Sequence, residues 1–69
     1  MDKYKVAIVD DDEVALENLS FELGKDARFS LKGTARNGKQ GKKLIAKVQP
    51  DLLFLDVEMP DMTGMELLQ

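Results

Sequence analysis

Two unbroken apolar runs, Val6-Ala7-Ile8-Val9 and Leu52-Leu53-Phe54-Leu55, each end on a carboxylate, Asp10 and Asp56. Runs of this length suit strands buried on both faces, as in a parallel sheet covered by helices. The first strand is read as Tyr4 to Val9. After it, Ala15, Leu16, Leu19 and Leu23 recur at helical spacing and give one apolar stripe, with Glu17, Asn18 and Glu22 mostly off it. Asp12 suits the N-cap, Glu13 the first turn and Gly24 the stop. Residues 29–35 alternate: Phe29, Leu31, Gly33 and Ala35 on one side, Ser30, Lys32 and Thr34 on the other. That predicts a half-exposed strand at a sheet edge, where Lys32 discourages pairing. Asn37 caps a second helix running to about Val48, with Leu44, Ile45 and Val48 as its apolar members. Gly38 and Gly41 weaken its first turn. Pro50 stops it, and Met65-Glu66-Leu67-Leu68 reads as the start of a third helix.

The order is β-α-β-α-β and the beginning of α, which predicts a parallel sheet with right-handed crossovers. Strand 1 is expected at the centre, strand 2 at one edge, strand 3 on the other side of strand 1. The winding direction changes between strands 1 and 3, and ligands bind at such switch points, beyond the carboxyl ends of the strands. Asp10, Asp11 and Asp56 are expected to meet there.

Charge sharpens this expectation. The net charge of −3 hides segregation: residues 1–24 balance at −5, residues 25–47 at +7 and residues 48–69 at −5. Any site that pools the two flanks is strongly negative. The chain has no Cys and no His, which excludes disulfides, Cys- or His-based metal sites and a His general base. A divalent ion would be held by oxygen alone, which selects Mg²⁺, Mn²⁺ or Ca²⁺. No window of about 18 apolar residues is present, so no transmembrane helix is expected. Asp10 to Glu13 interrupt any N-terminal signal core. A cytoplasmic location with no membrane contact is the expectation.

Three converging carboxylates repel one another and raise one another's pKa values unless a cation neutralises them. A hard cation on carboxylates and water is the Mg²⁺ pattern, often found with phosphate chemistry, in which a carboxylate can itself be the nucleophile. The bland alternative is that Asp10 to Glu13 cap helix 1 and Asp56 caps a turn. Three successive acids exceed what one cap requires.

Val6-Ala7-Ile8-Val9-Asp10-Asp11-Asp12, Pro50-Asp51-Leu52-Leu53-Phe54-Leu55-Asp56 and Met59-Pro60-Asp61-Met62-Thr63-Gly64-Met65-Glu66-Leu67 together resemble the receiver domain of two-component response regulators. Asn37-Gly38 fits as well, whereas Gly41 stands where a larger residue such as Ala is usual. The resemblance covers essentially all 69 residues. It implies a flavodoxin-like (CheY-like) doubly wound α/β sheet, here truncated after the third strand, with residues 1–69 the N-terminal part of a single receiver domain. It implies Asp56 as phosphoacceptor from a sensor histidine kinase. Asp11 would be a direct ligand of Mg²⁺ or Mn²⁺, Asp10 a water-mediated one, and Glu58 a ligand through its backbone carbonyl. Met59, Pro60 and Gly64 shape the following loop, while Met62 and Met65 read as packing.

The family's hydroxyl residue after strand 4, its Lys after strand 5 and its aromatic switch residue have no counterpart in this sequence. One βα unit takes roughly 23 residues here, so a five-unit sheet needs nearly twice this chain. Strand 3 is therefore expected to expose an edge and apolar faces, and the chain to self-associate through it. Two other functions compete. Asp56 and Glu58 have the spacing of haloacid-dehalogenase-type aspartate-nucleophile phosphatases, although there the second residue is usually Asp and the nucleophile follows the first strand. The lysines of helix 2 could contact a nucleic-acid backbone, but no aromatic is interleaved for base stacking. DNA contact through an output domain outside this sequence is the more plausible form of transcription regulation.

Overall fold

A computed structural model describes residues 3–56. Its elements are β1 (Tyr4–Val9), α1 (Glu13–Gly24), β2 (Phe29–Ala35), α2 (Gly38–Val48) and β3 (Leu52–Leu55). The expected third helix lies outside the described residues. The three strands are parallel, in the order β2-β1-β3, so β1 is central as expected.

The central strand is the driest part of the molecule. Val6, Ala7 and Val9 are fully buried and Ile8 nearly so. Val6 and Ile8 pack with Leu16, Leu19 and Leu23 of α1 and with Phe29 and Phe54. Val9 packs with Ala35, Leu44, Ile45, Leu53 and Leu55 on the side of α2. Each large side chain so buried contributes about 1.5–3 kcal/mol, which makes β1 the element the others collapse upon. β3 is less covered: Leu53, Phe54 and Leu55 are half-buried and Leu52 is 38% exposed.

The alternation read for β2 does not survive intact. The register with β1 passes from Val6↔Leu31 to Ala7↔Gly33, leaving Lys32 as an extra residue in a bulge. An inserted residue reverses the facing of all that follow. Phe29 therefore joins the α1 cluster while Ala35 joins the α2 cluster. Gly33 lies under α2: a Cβ there would stand 2.6 Å from Leu44 Cδ1, so the glycine permits the close approach of helix to strand.

Local chemistry sets the helix ends. Asp12 Oδ1 accepts from the Val14 N–H at 3.0 Å, and Asn37 Oδ1 accepts from the Gln40 N–H at 2.8 Å. Both are the expected N-caps. Gly24 ends α1, as expected. It is the last helical residue, and Lys25 closes the helix in right-handed conformation, donating to the Glu22 and Leu23 carbonyls. At the end of α2 the left-handed residue is Gln49, with φ 50°. Gly38 and Gly41, expected only to weaken α2, are its buried residues. At the opposite end of the sheet Asp51 clamps β3 to β1. Its carboxylate accepts from the Lys5 N–H, and its own N–H donates to the Lys5 carbonyl, both at 2.8 Å.

Candidate metal and phosphoacceptor site

The sheet register builds the site. Val9 is paired with Ala35 on one side and Leu55 on the other. The next residue along continues both ladders: the Asp10 N–H donates to the Ala35 carbonyl at 3.0 Å, and the Asp56 N–H to the Val9 carbonyl at 2.9 Å. Asp10 and Asp56 thus stand at the same level on adjacent strands, whose backbones run about 4.8 Å apart. Asp11, one residue on, completes the group. Asp10, Asp11 and Asp56 each offer a carboxylate oxygen, and these oxygens all lie within 4.8 Å of one another.

Asp12 does not belong to this group. Its carboxylate is committed to the helix cap, and its backbone N–H donates to Asp10 Oδ1 at 3.0 Å. The four successive acids therefore divide their tasks. Asp12 caps, Glu13 sits exposed in the first turn, and Asp10 and Asp11 join Asp56. The tether from Asp12 to Asp10 was missed in the sequence reading. Its signal was present as a turn-forming Asp two residues before an N-cap.

Electrostatics mark the group as short of positive charge. The Asp11 carboxyl is pushed above its ordinary range. The largest cause is partial loss of water around it, followed by a hydrogen bond with Asp56 and repulsion from Asp56 and Asp10. An all-oxygen donor set of this spacing suits a hard divalent cation. The site is bounded on one side by a groove of Ile8, Val9, Leu19, Phe54 and Leu55. Glu58, Met59, Pro60 and Gly64 lie outside the described residues. Asp56 follows the third strand, not the first, which removes the main geometric ground for the phosphatase reading. Among the described residues no helix is long and apolar enough to cross a membrane.

Comparison with known proteins agrees with this geometry. The response regulator receiver domain family matches residues 6–69. The protein-glutamate methylesterase/protein-glutamine glutaminase of Geobacillus kaustophilus is 44% identical over 69 residues, all of this chain but 20% of that protein. The transcriptional regulatory protein BtsR of Escherichia coli is 40% identical, over 91% of this chain and 26% of its own length. The response regulator domain of Thermotoga maritima CheB superposes with a TM-score of 0.92 at 25% identity, covering 97% of this chain and 50% of that one. The signal receiver domain of the NarL regulator from Mycobacterium tuberculosis gives 0.92 at 28%, covering 97% and 54%. The chain spans about half of these solved domains and a fifth to a quarter of the curated relatives. The methylesterase named in the first relative lies in a protein of which only the receiver part is matched. By sequence and by fold alike, the chain belongs to the response regulator receiver domain family, whose role is phosphoryl transfer in two-component signalling.

Proposed function

We propose that Asp56 is the phosphoacceptor and that Asp10 and Asp11, together with Asp56 and the backbone carbonyl of Glu58, hold the divalent cation. The supporting observation is the convergence of three carboxylate oxygens within 4.8 Å at the ends of two adjacent strands. The ion is Mg²⁺ or Mn²⁺. When bound, it neutralises charge on the phosphoryl oxygens during transfer. The chain's own residues do the rest. The β1–β3 ladder fixes the Asp56 backbone through its bond to Val9. The Asp12 N–H holds one oxygen of Asp10. An Asp56 carboxylate oxygen attacks phosphorus, the P–N bond of a phosphohistidine breaks, and its electron pair returns to the histidine nitrogen. The donor is a sensor histidine kinase.

The 69 residues are the N-terminal part of one receiver domain, working in the cytoplasm as a switch more than as a turnover enzyme. The output is transcription regulation through a domain outside this sequence, a reading supported by the kinship with BtsR. The half-buried β3, with Leu52 exposed, supports self-association through that strand. Sedimentation velocity showing only monomer at high concentration would count against this last element.

The test of the acceptor is transfer of labelled phosphate from a phosphorylated histidine domain. The label is expected to pass to the chain in a form released by hydroxylamine, as an acyl phosphate is. Label stable to hydroxylamine would refute an aspartyl acceptor.

A further inference from the structure

Asp10 is held at both ends. Its backbone N–H donates to the Ala35 carbonyl at 3.0 Å, which fixes it at the end of the β1–β2 ladder. Its carboxylate Oδ1 accepts from the Asp12 N–H, also at 3.0 Å. Asp12 is itself immobilised. Its side chain accepts from the Val14 N–H at 3.0 Å and its carbonyl from the Leu16 N–H at 3.1 Å, so the anchor for Asp10 is the first turn of α1. Asp10 is half-buried, whereas Asp11 is exposed. One carboxylate of the group therefore enters the site at an orientation set by the fold. The choice between hard ions depends on such rigidity. Mg²⁺ demands near-octahedral geometry and keeps several waters, while Ca²⁺ takes roughly six to eight oxygens, often both oxygens of one carboxylate. An all-oxygen donor set alone does not separate the two ions.

We propose, on the reading that Asp10, Asp11 and Asp56 hold the cation, that Asp12 is a positioning residue whose backbone N–H makes the site select Mg²⁺ over Ca²⁺. The bond engages one lone pair of Oδ1 and fixes the plane of the Asp10 carboxylate. Asp10 then presents itself to the ion in one direction, which suits a small ion with strict geometry. A larger ion gains from a carboxylate free to turn and add its second oxygen. Turning Asp10 breaks the bond from Asp12 and leaves that N–H without its acceptor. The three acids contribute affinity for either ion, and the tether contributes the difference between them. Groups that orient a ligand in this way typically change metal affinity by about 10- to 100-fold.

Two replacements remove the N–H. An ester in place of the Asp11–Asp12 peptide bond, introduced by chemical synthesis of the 69-residue chain, deletes the donor and keeps the Asp12 side chain. Asp12→Pro deletes it genetically, at a backbone φ of −88° that proline approaches. Asp12→Ala keeps the N–H and loses the cap, and so controls for a merely structural effect. Mg²⁺ and Ca²⁺ are each used to displace Mn²⁺, followed by water-proton relaxation at one neutral pH, with circular dichroism to confirm the fold. The parent is expected to bind Mg²⁺ more tightly than Ca²⁺. The ratio of the two affinities should fall by about tenfold in the ester and in Asp12→Pro, and stay within about twofold of the parent in Asp12→Ala. Preference of the parent for Ca²⁺, an unchanged ratio in the folded ester or proline chain, or an equal fall in Asp12→Ala would each overturn the proposal. A parent that binds none of the three ions would overturn the metal reading itself, and the tether with it.

Discussion

Asp11 and Asp26 are both aspartates beside a strand, and they sit in opposite environments. Asp26 has a guanidinium for company. Arg28 Nη2 stands 2.6 Å from its Oδ2, Arg28 Nε donates to the same carboxylate, and so does the Arg28 N–H at 2.9 Å. These bonds hold the Asp26 carboxyl down at about 2. Asp11 has two other carboxylates for company, and its carboxyl is pushed up. The first arrangement serves the fold, because it ties the turn into β2. The second works against the fold at neutral pH, and a protein retains such crowding where a ligand relieves it.

The largest expected effect breaks the crowded side altogether. Replacing Asp10 and Asp11 together by Ala should weaken Mn²⁺ binding by more than about tenfold, measured by water-proton relaxation, while circular dichroism reports an intact sheet. Binding unchanged by that pair would place the ion elsewhere.

Asp11→Asn should make the metal-free chain more stable at neutral pH, as a rise in Tm. The folded-state pKa of Asp11 lies above its ordinary 3.8. Folding therefore takes up a proton in the window above 3.8, and the penalty grows as pH rises through it. Below that window the variant and the parent should melt alike. Saturating Mg²⁺ should reverse the order, since the parent alone keeps the ligand.

Two substitutions separate capping from the site. Asp12→Ala should cost about 1 kcal/mol of stability in urea denaturation, with metal affinity nearly kept, because the tether to Asp10 uses the Asp12 backbone N–H. Gln49→Gly should gain up to about 1 kcal/mol by relieving a left-handed residue.

The smallest effect concerns Asp26. Its folded-state pKa, about 2, lies below the ordinary 3.8, so its contribution is complete above roughly pH 4 and is lost as pH falls toward 2. Asp26→Asn should flatten the dependence of Tm on pH in that window alone. The pair is exposed, so the change is small.

What was legible in the sequence was written in neighbouring residues. Val6 to Val9 with Asp10 gave the central strand and its working end, and Asp12 and Asn37 gave the caps. The convergence of Asp10, Asp11 and Asp56 followed from strand order alone. What was not legible depended on partners distant in the chain. The bulge at Lys32 exists only in the register against β1, and no pattern within residues 29–35 signals that Phe29 and Ala35 part to opposite faces. Gly33 matters because Leu44 lies over it. The end of α1 at Gly24 was legible, but not how it closes, with carbonyls of the last turn accepting from the Lys25 and Asp26 N–H groups.

The central claim is that Asp56 accepts the phosphoryl group with a metal held by its neighbours. The most direct measurement is intact mass after incubation with acetyl phosphate and Mg²⁺, with Asp56→Asn and a metal-free sample alongside. The account predicts one added phosphoryl group in the parent and none in either control. An adduct that persists in Asp56→Asn, or forms equally without metal, would contradict it.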